Sequence, residues 1–398
     1  MTALAACNDN KPEDAGNVAS KFIQGTFGYD LDFLKQYHKD LILLGDDNSQ
    51  VIIIPAYQGR VMTSTADGKK GTSFGWINHE LIASKKPSEH MNAVGGEERF
   101  WLGPEGGQFS IYFKKGADFK FENWYVPKEI DTEPFKLVSS TKNEAVFKKE
   151  MHLENYSGNK FDLAVDRTIR LLDIKSINLA LGINVSENIK AVGFESENII
   201  TNNGTNAWDK NSGMLSIWIL SMLNASDQTT VAIPYKKGDT VQLGKIVTDD
   251  YFGSVPVDRL KVNDGMILFK ADASHRSKIG ISPKRALPVA ASYDAVNNVL
   301  TIAQFTLPQD TVGYVNSLWK IQDDPFSGDA VNSYNDGPID IKQMGRFYEI
   351  ESSSPAAALA PGHSMQHVHR TIHLKGTKED LDKVAMKILG IHIDAIRL

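Results

Sequence analysis

Residues 347–374, FYEIESSSPAAALAPGHSMQHVHRTIHL, read as two β-strands joined by a connection containing Pro and Ala, with ionisable side chains repeating along each strand. Side chains i, i+2 and i+4 of a strand share a face. Glu349 and Glu351 therefore share one face of the first strand. His367, His369 and His373 share one face of the second, with Thr371 among them. The other face carries Val368, Ile372 and Leu374, broken only by Arg370. An apolar face implies a core, so the histidine face is expected to point outward or into a cleft. Carboxylates and imidazoles facing a cleft suit proton transfer or polar ligand binding. The alternative is an ordinary solvated strand face.

Working outward, most of the chain has the same β character. Strands are expected at 51–56, 60–65, 109–113, 145–153, 161–172, 177–185, 215–223, 229–233, 266–271, 288–293 and 299–307, with turn residues between them. The pair 145–153 and 161–172 reads as a hairpin about residues 155–159. Helical character is confined to 17–44 and to 377–389, TKEDLDKVAMKIL. In the latter, Thr377 is the expected N-cap, Glu379 and Asp380 favour the helix dipole, and Leu381, Val384, Ala385 and Ile388 form one apolar stripe. The expected organisation is a tether over 1–20, one large antiparallel β domain over 21–375 with a helical lead-in at 21–44, and a C-terminal helix and tail over 376–398.

The 398 residues are 41% hydrophobic and 23% charged, an ordinary globular balance. The net charge of −6 is spread along the chain without a Lys/Arg block, which argues against a nucleic-acid partner. The single cysteine, Cys7, excludes an internal disulfide and a Cys-rich zinc site. Leu4-Ala5-Ala6-Cys7 looks like a bacterial lipobox, and the polar NDNKPEDAGN behind it suits a tether. A lipid-anchored protein of the cell envelope follows, in contact with membrane only through Cys7. Asn8 resembles outer-membrane sorting.

Two further clusters carry chemistry. Residues 95–107, GGEERFWLGPEGG, hold Glu98, Arg99, Trp101 and Glu105 between glycine pairs. Sugars are bound by such mixtures, in which aromatic rings take the C–H face and Arg, Glu and Asn grip hydroxyls; a turn whose Trp101 plugs the core is the competing reading. Residues 193–209, GFESENIITNNGTNAWD, gather Glu197, Asn198 and Trp208, and SYNDGP at 333–338 sets Asn335 and Asp336 at a turn. His367-x-His369 could hold zinc on a strand, but no helical H-E-x-x-H is present, and neither a metal nor a cofactor is expected.

Ala56-Tyr57-Gln58-Gly59-Arg60-Val61, Ile350-Glu351-Ser352 and the Pro361-Gly362 turn before His367 resemble segments of the galactose mutarotase-like (aldose 1-epimerase-like) superfamily. The GG…RFWLGPEGG, YNDGP and EIESSSPA…HVHRT patterns resemble a branch of bacterial envelope lipoproteins within it. The resemblance implies an all-β supersandwich, a sugar or glycan ligand, and Glu351 as catalytic base. The superfamily takes its acid from a histidine in a central Asn-His segment. The corresponding region, about 195–204, has none, which leaves His367 or His369 as the expected acid. Arg60 and Arg99 are then expected to position substrate, with Trp101 and Trp208 as sugar platforms. A carbohydrate-binding envelope protein with epimerase-type acid–base chemistry is the leading expectation. A non-catalytic glycan-binding lipoprotein and a polysaccharide lyase or hydrolase with a long open groove are the alternatives.

Overall fold

Long alternating strands set the architecture. A computed structural model of the chain describes residues 20–308, 312–338 and 343–398; Cys7 and the lipobox expected around it lie outside them. Ten antiparallel strands form one sheet, in the order Leu260–Asn263, Met266–Lys270, Thr229–Pro234, Val289–Asp294, Val299–Phe305, Ser364–Lys375, Lys190–Asn202, Lys160–Leu172, Glu144–Glu154 and Lys136–Ser140. A second sheet runs Ser277–Ile281, Val331–Asn335, Phe347–Ser353, Ser216–Leu220 and Arg99–Gly103, with the short Leu223–Asn224 also pairing to Phe347–Ser353. Ile42–Gly45, Gln50–Ile54 and Arg60–Thr65 make a third, three-stranded sheet.

The two large sheets face each other across a common core. Phe147, Val165, Ile169 and Phe194 of the ten-stranded sheet meet Phe100, Leu102, Ile217 and Ile219 of the second. Farther along, Val231, Ile267, Phe269 and Phe305 meet Ile279, Ile281, Tyr348 and Ile350. Part of the opposite face of the ten-stranded sheet is also apolar, and two helices cover that part. Ile372, Leu374, Leu300 and Ile302 pack against Ile177 and Leu181 of Ile174–Leu181 and against Leu381, Val384 and Ala385 of Lys378–Leu389. Thr377 caps the second helix as its sequence demands, accepting from the Asp380 amide at 3.2 Å. The hairpin joining Glu144–Glu154 to Lys160–Leu172 closes where Asn155 Oδ1 accepts from the Asn159 amide at 2.9 Å.

Several elements differ from expectation. Residues 177–185 are not a strand; Ile174–Leu181 is helical, capped by Asp173 and ended by Gly182 in the left-handed region. The lead-in helix is Phe27–Tyr37, shorter than 17–44, and the chain has already turned to strand at Ile42–Gly45. Residues 109–113 form no regular strand, only a bridge from Phe113 to Trp124. Arg99–Gly103 and Val331–Asn335 are strands inside motifs whose glycines and Asn-Asp-Gly had suggested turns. The glycines keep their local meaning: Gly96 has φ +117, and a Cβ there would lie 2.5 Å from Arg60 Cδ.

A polar seam runs through the core between the sheets. Arg167 is fully buried, donates to Glu98 Oε1 at 2.8 Å and to Gly59 O at 3.3 Å, and also bonds Asn198 Oδ1. Such a pair gains little over an apolar one but is costly to break, because the remaining charge is stranded. Replacing Arg167 by Met is expected to lower the unfolding free energy by about 3–5 kcal/mol. Adding Glu98→Gln should recover part of that loss, with both variants read from urea midpoints.

Candidate functional site

The outer face of the second sheet, turned away from the polar seam, assembles the site. Alternation puts Glu349, Glu351 and Ser353 on that face of Phe347–Ser353. Cross-strand register sets Asn332 opposite Glu351 and Tyr334 opposite Glu349, with Lys278 opposite Tyr334 one strand farther on. On the other side Trp218 lies opposite Ser353, and Trp101 opposite Trp218. Five strands, drawn from residues 99 to 353, thus converge on one patch.

Glu351 is fully buried at its centre. Its Oε2 accepts from Lys278 Nζ and from Trp218 Nε1, each at 2.9 Å, while its Oε1 has no partner. Lys278 lies over the Trp218 ring, with Nζ 4.9 Å from the ring centroid. Beside this trio, Glu349 accepts from Arg99 Nη2 at 3.0 Å, and the Arg99 guanidinium lies 4.2 Å over the Trp101 ring. Burial pushes the Glu349 carboxyl up to about 8; the Glu351 charge adds to that and Arg99 opposes it.

A cavity of about 1410 Å³ opens over the patch. Lys278, Trp218, Ser353 and Asn332 contribute its sheet-side surface, Glu105, Trp124 and Trp319 one wall, and Tyr251, Phe252 and Arg276 another. Burial raises the Glu105 carboxyl, which Trp319 hydrogen-bonds. Burial likewise raises Asp329, which accepts from Tyr251 Oη at 2.6 Å, and Asp336, which accepts from Tyr334 Oη at 2.8 Å. Among the described residues no group of three or more His, Cys, Asp or Glu is arranged to hold a metal ion. The arrangement offers a paired acid and base, aromatic walls and several hydrogen-bonding carboxyls. Those are the groups that grip and ionise a polyhydroxylated ligand.

A model of a family of unknown function, DUF6786, matches residues 25–398. The chain belongs to that family. Comparison with curated proteins returns no match. Among solved structures, a candidate aldose 1-epimerase from Escherichia coli K12 aligns with a TM-score of 0.50 at 11% identity, covering 85% of this chain and 99% of that one. The Slr1438 protein from Synechocystis sp. PCC 6803 aligns with a TM-score of 0.51 at 13% identity, covering 85% and 96%. This DUF6786 member therefore has the galactose mutarotase-like fold, an all-β supersandwich with a C-terminal helix.

Of the residues singled out in the DUF6786 sequence, Glu351, Arg99, Trp101, Glu105 and Asp336 lie at or directly behind the cavity. The others do not. His367 and His369 are buried between the sheets, not in a cleft: Ser352 Oγ, on the face of its strand opposite Glu351, sits 2.8 Å from both His367 Nε2 and His369 Nδ1. The apolar face of their strand is indeed a core face, but a second sheet buries the histidine face as well. His373 is buried with them and shares Glu97 Oε1 at 2.6 Å. Arg60 is tied to Gly95 O and Gln58 Oε1, and Glu98 and Asn198 serve Arg167. Asn335 accepts from the Ala273 amide and donates to His275 O, which makes it a loop brace. Trp208 packs edge-on against Phe161, and Glu197 pairs with Arg170 on the outer face of the ten-stranded sheet. Lys278, Trp218 and Trp319 escaped the sequence reading. Within Ser277–Ile281 (SKIGI) Lys278 is the one charged residue, which was the available signal.

Burial holds His367 and His369 at about 3, so both are neutral in the folded protein. Histidines depressed below their unfolded value stabilise above about pH 6.5, and that stability is lost as pH falls toward 3. Each should contribute a slope of up to about 1.4 kcal/mol per pH unit in that window. Urea unfolding from pH 7 to 4 on wild type and His369→Gln is expected to show the shallower pH dependence in the variant.

Proposed function

We propose that the cavity binds a carbohydrate, and that Glu351 and Lys278 act on its anomeric centre as base and acid. The observation that carries this is the 2.9 Å contact between Glu351 Oε2 and Lys278 Nζ at the sheet-side end of an aromatic-walled cavity. In a cyclic sugar the anomeric hydroxyl and the ring oxygen share one carbon, so a base for the first and an acid for the second must be neighbours. Glu351 and Lys278 meet that requirement. The neutral pair His367 and His369, behind the sheet, does not.

Glu351 accepts the proton of the anomeric hydroxyl while the bond from the anomeric carbon to the ring oxygen breaks. The Lys278 ammonium donates a proton to the departing ring oxygen. The carbonyl carbon then rotates, and closure on its other face returns each proton to its donor, giving the opposite anomer. Trp218 Nε1 fixes the carboxylate orientation, and the unpartnered Glu351 Oε1 is an acceptor for a ligand hydroxyl. The fold shared with a candidate aldose 1-epimerase supports the same chemistry.

Polarimetry on freshly dissolved α-anomers of glucose and galactose tests it. Wild type should accelerate mutarotation, and Glu351→Gln and Lys278→Met should each lower kcat by about 10²–10⁴. Variants as fast as wild type would remove both residues from the reaction, while bound sugar without turnover would leave a recognition protein. The envelope placement expected from Leu4–Cys7 belongs to the same proposal. A clickable palmitate analogue fed to expressing cells should label wild type and leave Cys7→Ser unlabelled.

A further inference from the structure

The cavity is larger than a single sugar needs. Its 1410 Å³ exceeds the range of about 300–1,000 Å³ typical of small-molecule sites. Glu351 and Lys278 account for one end only. Along one wall of the remaining space, Phe121, Trp124 and Trp319 form a stacked run. Phe121, 56% exposed at the mouth, stacks on Trp124 with centroids 6.0 Å apart and planes at 23°. Trp124 stacks in turn on Trp319, at 5.9 Å and 25°. Behind the lining, Trp124 also stacks on buried Tyr112, which touches buried Trp101, and Trp101 meets Trp218 edge-on beside Glu351. Flat rings repeated along one wall suit a ligand that presents one C–H-rich face after another.

Charge narrows the ligand further. Six acidic side chains line the cavity against the three cations Lys245, Arg276 and Lys278. Lys278 is already paired with Glu351, Lys245 lies 3.8 Å from Asp250, and Arg276 lies over the Phe252 ring. Among the described residues no cluster of unpaired cations is left along the lining for a carboxylate or sulfate. Glu105, Asp329 and Asp336 are buried carboxyls suited to hydrogen-bond exchange with hydroxyls.

Building on the proposed function, we infer that the ligand is a neutral oligosaccharide, lying along the Phe121–Trp124–Trp319 wall with its reducing end at Glu351. Titration calorimetry on the full chain tests this with cello- and malto-oligosaccharides from disaccharide to hexasaccharide, with glucose, and with oligogalacturonates of matched length. Affinity should rise with length to at least about ten-fold above glucose in one neutral series, and oligogalacturonates should bind more weakly. Phe121→Ala, at an exposed position that spares the core, and Trp319→Ala should each bring the ratio of hexasaccharide to glucose affinity toward one. Glucose binding as tightly as every oligomer would overturn the extended ligand while leaving the acid–base pair standing. Oligogalacturonates binding as tightly as the neutral series would overturn the charge assignment. Binding of no sugar at all would remove this inference together with the proposed function beneath it.

Discussion

The two-faced strand Phe347–Ser353 is the constraint on which the rest depends. Tyr348, Ile350 and Ser352 point into the space between the sheets, and Glu349, Glu351 and Ser353 point out of it. A slip of one residue would exchange the two sets, driving two carboxylates into an apolar layer and Ile350 toward the cavity. Packing and site geometry are therefore fixed by a single register. Its neighbours Val331–Asn335 and Ser216–Leu220 hold that register from both sides.

The space between the sheets is unusual for its buried polarity. Arg167 with Glu98, His373 with Glu97, and Ser352 with two histidines are each hydrogen-bonded across the layers. Desolvating such groups costs several kcal/mol, offset only when the geometry is correct. An apolar contact tolerates sliding, whereas these pairs do not, so they specify how the two sheets align. The histidine-rich strand thus aligns the layers, and the chemistry lies on the far side of the adjoining sheet.

How much of this was legible follows from the range of each signal. Local signals were read well: Thr377 marked its helix, Asn155 its hairpin, and the alternation of Glu349 and Glu351 their common face. A large antiparallel β domain was legible too, because the run of strands was long, and the resemblance of residues 56–61 and 350–352 to a known superfamily pointed to the supersandwich. Residues 177–185 were misread since a short apolar run does not distinguish strand from helix, although Asp173 and Gly182 flagged a helix start and stop. The histidines were misplaced because periodicity describes one strand and is blind to what lies over it. Lys278 and Trp218 reach Glu351 only through strand order, which no pattern within Ser277–Ile281 or Ser216–Leu220 encodes.

The helix Lys378–Leu389 follows in the chain every strand whose apolar face it covers. During ribosomal synthesis that face, with Ile302, Ile372 and Leu374, is complete before its cover emerges. The nascent protein therefore passes through a stage in which this greasy surface is covered only in part, by Ile174–Leu181, a condition under which chaperones bind and chains aggregate. Translation speed over the codons for 376–389 consequently bears on yield, although none of those residues approaches the cavity.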